Sequence, residues 1–227
     1  MHLLHRLNIR NASWLAAGLL LFAAQAGALT LTLRSGNAPA GNPDPLVRQL
    51  DLATSCGVGY ATAFGTPEFT AAAPPAVVLS FVHPAWIPHL ACDPLALWIG
   101  TTANANPISA LYGLEFTVPA PCCIAHATLD ICWSSDDTLG DAINPAGLYV
   151  NQTPIATVTG GNFTVESSVT GIDVTSLVHC GANTLHFYNR DIACAVSGLI
   201  FSATLHIEEC SVPVTPSTWS HVKTIYN

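Results

Sequence analysis

Apolar and polar residues alternate with period two along much of this chain, most clearly between Gly147 and Ile207. In Asn183–Asn189, Leu185 and Phe187 alternate with Thr184, His186 and Tyr188. In Leu199–Ile207, Leu199, Phe201, Ala203, Leu205 and Ile207 alternate with Ile200, Ser202, Thr204 and His206. Each run predicts a strand with one face in a core and one face outward, and their adjacency predicts an antiparallel hairpin. Gly147–Asn151 predicts a third strand and Gly160-Gly161 a turn. Ile172–Asn183 predicts a tight crossover, with Gly181 and Asn183 in turn conformations.

The same reading extends toward the start of the chain. Leu29–Leu33 (LTLTL) alternates and predicts an early strand, and Leu46–Ala53 predicts another. In Cys123–Trp133, Cys123, Ala125, Ala127, Leu129, Ile131 and Trp133 share one face, opposite Ile124, His126, Thr128, Asp130 and Cys132. The order LYVN, GGNF, DVTSLVHCGANTL and GLIFSATLHI resembles the second half of galactose-binding-like jelly rolls of secreted bacterial proteins. The loop with Gly41 and Asp44, VVLSFVHPAWIP (77–88), LALWIG (95–100) and LYGLEFTVPA (111–120) resembles the first half. Trp86 and Trp98 fall where such families place core tryptophans. The resemblance covers residues 29–209 and implies an all-β fold: one antiparallel jelly-roll β-sandwich, galactose-binding-domain-like and disulfide-stabilised. It also implies sugar binding.

Residues 1–28 have the pattern of a bacterial-type secretory signal peptide. Arg6 and Arg10 precede an apolar run from Trp14 to Ala24, followed by the small-residue motifs Ala24-Gln25-Ala26 and Ala26-Gly27-Ala28. Secretion to the extracellular space is therefore expected. No later segment approaches the roughly 20 apolar residues of a spanning helix. The tail at 210–227 lacks the apolar, basic sorting segment that ends many related secreted proteins.

Charge narrows the partners. The chain has 6 Lys+Arg against 14 Asp+Glu, and removal of the signal would take Arg6 and Arg10 but no acid. So acidic a chain is a poor match for nucleic acid or anionic membrane, whose phosphates are bound by Lys and Arg. Only 9% of residues are charged, against roughly 25% in typical domains. A surface of Ser, Thr, Asn, Gly and Ala suits an extracellular glycan, a matrix, or copies of the chain itself as partner.

All 8 cysteines follow the signal, and an even number in an exported chain predicts a disulfide framework. No C-x-x-C step of a zinc ribbon occurs. In the predicted hairpin, Cys180 precedes the first strand and Cys210 follows the second, which predicts a Cys180–Cys210 bridge. The same geometry excludes Cys180–Cys194. Partners of Cys56, Cys92, Cys122, Cys123, Cys132 and Cys194 stay open. Adjacent Cys122 and Cys123 point to opposite faces of a strand and therefore bond different partners.

Candidate chemistry gathers in the loop after Trp133. Asp136, Asp137 and Asp141 offer carboxylates for Ca2+, the one cofactor considered; the alternative is an acidic turn held by local hydrogen bonds. Trp133, Asp136, Asp137 and Asp141 together mark the candidate ligand-binding end, because loops on a rigid β scaffold carry most recognition. His186 and His206, outward on neighbouring strands of the hairpin, are read either as a metal-holding or titrating pair or as two independent surface histidines. His83 and His89 are expected to pack beside Trp86. There is no G-x-S-x-G elbow, H-E-x-x-H or Walker loop, and the chain is read as a non-catalytic module rather than an enzyme.

Overall fold

Residues 27–210 are described in this computed structural model; the predicted signal peptide and C-terminal tail lie almost wholly outside them. The first half contains β1 (Ala28–Arg34), β2 (Pro43–Leu52), a helical turn α1 (Thr66–Phe69), β3 (Pro75–Val78), β4 (Ile99–Gly100) and β5 (Ala110–Val118). The second contains β6 (Ile124–Asp136), β7 (Thr138–Leu139), β8 (Leu148–Val150), β9 (Thr153–Pro154), β10 (Ser167–Asp173), β11 (Gly181–Arg190) and β12 (Gly198–Glu209). Every pairing is antiparallel. The strands form one sheet in the order β10-β6-β12-β4-β3-β2-β5-β11-β8-β9, with β1 beside β12 and β7 beside β11. No helix among the described residues is long and apolar enough to cross a membrane.

The alternation explains how the sheet buries itself. Leu185 and Phe187 of β11 and Phe201, Ala203 and Leu205 of β12 enter one core with Leu129, Ile131 and Trp133 of β6. β4, β3, β2 and β5 lie between β12 and β11 in the sheet order. Nevertheless, the rings of Phe187 and Phe201 stack with centroids 3.9 Å apart. The sheet therefore curls until its two limbs face each other. Each large apolar side chain so enclosed contributes about 1.5–3 kcal/mol of transfer free energy.

The predicted hairpin does not form. β11 pairs with β5, from Gly181 opposite Val118 to Asn189 opposite Ala110. β12 pairs with β6 and β1. Alternation reports which face of a strand is buried but not which strand lies beside it, and both limbs present their apolar faces to the same core. The Cys180–Cys210 bridge falls with the hairpin: Cys180 bonds Cys122, and Cys210 bonds Cys123. Adjacent Cys122 and Cys123 do take different partners, each tying the end of a different limb to the start of β6. The other bridges are Cys56–Cys194 and Cys92–Cys132.

Two departures from simple alternation position the loop end. The stretch after Val78 is irregular, since Pro84, Pro88 and Pro94 withhold ladder donors. It folds Trp86 against Trp98, centroids 4.3 Å apart, in a second cluster with Leu79, Leu90 and Ile200. Close approach sets one glycine: a Cβ on Gly198 would stand 2.7 Å from the Trp86 ring. The outward face of β11 is also covered. Tyr188 packs with Phe69, Leu111 and Tyr149, flanked by Tyr60 and Phe64, so β11 is buried on both faces.

The Phe187–Phe201 stack is expected to dominate stability. Phe201→Ala should lower the unfolding free energy by about 3–5 kcal/mol, measured by denaturant titration of the oxidised protein. A cost below about 1 kcal/mol, the range of tolerated volume-conserving swaps, would contradict a core shared by both limbs.

Candidate functional site

The predicted site residues lie around one end of the curled sheet, where β6 runs into β7. They are side chains of the interior more than of a surface. Trp133 is 3% exposed, and its indole N–H donates to the Gly160 carbonyl at 3.3 Å. Gly160 and Gly161 form the predicted turn in the left-handed region, with φ of 70° and 91°. A Cβ on Gly161 would lie 2.7 Å from the Trp133 Nε1, so the glycine lets the turn close over the indole.

The three aspartates have separate duties. Asp136 closes β6, is buried, and accepts the Trp86 indole N–H on Oδ2 at 2.7 Å. Its carbonyl accepts from Asn189 Nδ2 at 3.1 Å and Ser197 Oγ at 3.3 Å. Asp137 Oδ2 accepts the backbone N–H groups of Ile192 and Ala193, both at 2.7 Å. Asp141 Oδ1 accepts from the backbone of Ile143 and Asn144 at 2.8 and 2.7 Å. Its Oδ2 accepts the Tyr188 hydroxyl at 2.7 Å and Arg190 Nη1 at 3.4 Å. Among the described residues, the one group of His, Cys, Asp and Glu with ligand atoms all within 4.8 Å is Cys92, Cys132 and Glu166. The carboxylates of Asp136, Asp137 and Asp141 do not converge in such a group.

Electrostatics separates the acids further. Burial, the hydrogen bond to Asp137 and the nearby charges of Asp137 and Asp191 raise the Asp136 carboxyl to about 7, against the opposing Trp86 N–H. Asp141 also feels burial, but the N–H groups of Asn144 and Ile143, the Tyr188 hydroxyl and Arg190 outweigh it and hold the carboxyl below its ordinary range. Sequence reasoning passed over Asp191. Buried completely, it accepts from Gly57 N–H at 3.1 Å and Cys194 N–H at 3.3 Å, reinforcing the Cys56–Cys194 bridge. The signal was an Arg190-Asp191 pair directly after a strand otherwise destined for the core.

The open space at this end is a depression of about 530 Å3. Thr138, Gly140, Asp141, Ala156, Thr159 and Gly160 are among its lining residues, which are mostly small. Of the four predicted residues, Asp141 alone reaches it. A second groove, of about 330 Å3 and mixed lining, runs over the outer face of β10, β6 and β12, past Asp130, Glu166, Ser168, Thr170 and Ser202.

The histidine pair is corrected by the pairing of the strands. His206 lies on the outer face of β12, with Nε2 3.5 Å from Asp130. His186 is on β11 and is only 2% exposed, with the Phe69 ring at 4.7 Å. Burial depresses His186 to about 4, against a backbone hydrogen bond at Phe69. Its environment keeps the ring neutral, and it forms no pair with His206. His83 does pack near Trp86, their rings 6.3 Å apart.

No protein-family model matches the chain, and no curated protein sequence matches it. Among solved structures, the chain is similar to an isomalto-dextranase of Arthrobacter globiformis T6 complexed with panose, at 10% identity and a TM-score of 0.29. The match covers 81% of this chain and 33% of that one, so the chain spans about a third of that enzyme's length. At that score the likeness carries no argument about function.

Two measurements follow from the acids. Because the ligand atoms of these carboxylates do not converge on one point, thermal melts with and without a chelator should coincide. A fall of several degrees in EDTA would establish an ion, since a ligand held only by the native state stabilises it. The second concerns pH. The folded value of Asp136 is raised above its ordinary 3.8, so the native state keeps a proton that the unfolded chain releases. That stabilisation is complete below about 3.8 and is lost as pH rises toward about 7. Asp136→Asn, which keeps an acceptor for Trp86 without the charge, should flatten the Tm profile across this window. Above it, the variant should melt several degrees higher than the parent; equal melts there would refute a buried titrating carboxyl.

Proposed function

We propose that this chain is a secreted, non-catalytic extracellular module of galactose-binding-like jelly-roll type, which holds a glycan or packs within an extracellular matrix. One observation carries the reading. The end of the curled sheet predicted to bind ligand has an open depression of sugar-sized volume, about 530 Å3, beside Asp141. Its walls offer the hydroxyl oxygens of Thr138 and Thr159, which can still accept from sugar hydroxyls, beside the apolar side chains of Leu139, Pro145, Pro154 and Ala156. The four bridges support an oxidising compartment, in keeping with export.

The aspartates favour binding over catalysis. A glycosidase needs two carboxyl groups about 5–10 Å apart across the scissile bond. Asp136 is buried against Trp86, while Asp137 and Asp141 brace backbone segments, so these three are committed to structure.

A second reading is a self-assembling subunit of an extracellular filament or sheath. It is favoured by the burial of Trp86, Trp98 and Trp133, at 5%, 2% and 3% exposure, which leaves them unavailable to stack on sugar rings. A weakly charged surface can also be buried against copies at little desolvation cost.

Glycan-array screening of the purified protein, paired with light scattering, tests both. Selective retention of a glycan that is lost in Ala156→Trp, which fills the depression from an exposed position, is the expected outcome. Large ordered particles without glycan retention would replace the binding reading with the assembly one. Hydrolysis of a polysaccharide, abolished in Asp136→Asn or Asp137→Asn, would overturn the non-catalytic assignment.

A further inference from the structure

One long, regular edge of the sheet has no backbone partner among the described residues. β1 bonds β12 along its whole length, from Ala28 opposite Glu208 to Arg34 opposite Ser202. Just outside this ladder, Glu209 N–H donates to the Gly27 carbonyl and Ser35 N–H to the Phe201 carbonyl. These bonds fix the parity of the strand: Leu29, Leu31 and Leu33 turn their N–H and C=O groups toward β12. Ala28, Thr30, Thr32 and Arg34 therefore turn theirs to the open side.

Exposed edges are ordinarily protected by bulges, prolines or inward charges. The opposite edge is protected in this way: β10 has a bulge between Val169 and Ile172, where Gly171 has a φ of 67° and gives its N–H to Asp130. β9, at the other end of the order, is only Thr153–Pro154. β1 is seven residues without bulge or proline, its one charge at the last position.

We infer that β1 is a self-association edge, pairing antiparallel with β1 of a second copy about a two-fold axis at Leu31. Its central sequence LTLTL, Leu29–Leu33, is self-complementary in that register. Thr30 faces the partner's Thr32, each exchanging both outward backbone bonds, and Leu29 faces the partner's Leu33 on the inner side. Half-buried Leu29 and Leu31, which already pack against the core, lose their remaining exposure. Arg34, the one charge of the strand, is held by Asp93 of its own chain, Nε to Oδ2 3.0 Å, so the stretch Leu29–Leu33 meets its copy without opposing charges.

The sheet β10-β6-β12-β1 would thus continue through the axis into its copy. Because β10 is bulged, pairing stops at two copies, a closed dimer in place of an open filament. This inference rests on the packing half of the proposed function and is independent of any glycan at the loop end.

The test is the mass of the purified, disulfide-bonded chain without its predicted signal peptide, by light scattering across a concentration series. A dimer is expected. Thr32→Pro removes an outward N–H while leaving the β12 ladder intact, and should give a monomer. The double variant Thr30→Lys, Thr32→Lys keeps every N–H but sets like charges opposite one another, and should also give a monomer with unchanged circular dichroism. A parent that is monomeric throughout overturns the inference. So does a dimer that survives both variants, which would leave self-packing standing through another surface. A monomeric parent that dimerises once 211–227 are deleted would assign the edge to the chain's own tail.

Discussion

The contact between Phe187 and Phe201 is the constraint on which the rest of the architecture depends. Their strands belong to distant parts of one sheet, and stacking at 3.9 Å requires the strands between them to turn the corner. That need explains the short middle strands. β3 and β4 have four and two residues, and register breaks interrupt β2 on both sides. Short, broken strands bend where long regular ones would not. Once the limbs meet, the apolar faces of β5, β6, β11 and β12 close on each other without help from helices.

A curled sheet leaves its end open, and here polar side chains do the closing. Asp137, Asp141 and Asp191 take up N–H groups that irregular backbone would otherwise leave unsatisfied, and Asp136 takes up the indole N–H of Trp86. Such groups are costly to bury without partners. Asp44 does the same at the start of the chain, accepting from Gly36 at 2.7 Å and Leu46 at 2.9 Å. The Cys56–Cys194 bridge fastens the same connection that Asp191 braces. Carboxylates that look like a functional cluster in sequence are thus the means by which loops are held to a strand end.

His186 and Asp136 show how burial reverses ordinary titration. Enclosure favours the neutral form of each, so the base is pushed down to about 4 and the acid up to about 7. Their contributions to stability run in opposite senses. The stabilisation from the histidine is lost as pH falls from 6.5 toward about 4, and that from the aspartate as pH rises toward about 7.

The sequence by itself determined the all-β class, the faces of the main strands and the burial of Trp86 and Trp98. These follow from local rules: side chains alternate along a strand, and large apolar groups leave water. Strand partners were decided by the tertiary structure. Leu185 and Leu205 carry the same inward signal, yet one strand pairs with β5 and the other with β6, because a buried face is compatible with any neighbour that shares the core. That single choice moved Cys180 from Cys210 to Cys122. It also set His186 under Phe69 and away from His206. The roles of Asp136, Asp137 and Asp141 were likewise decided in three dimensions, since their partners Trp86, Ile192 and Tyr188 lie on segments far away along the chain.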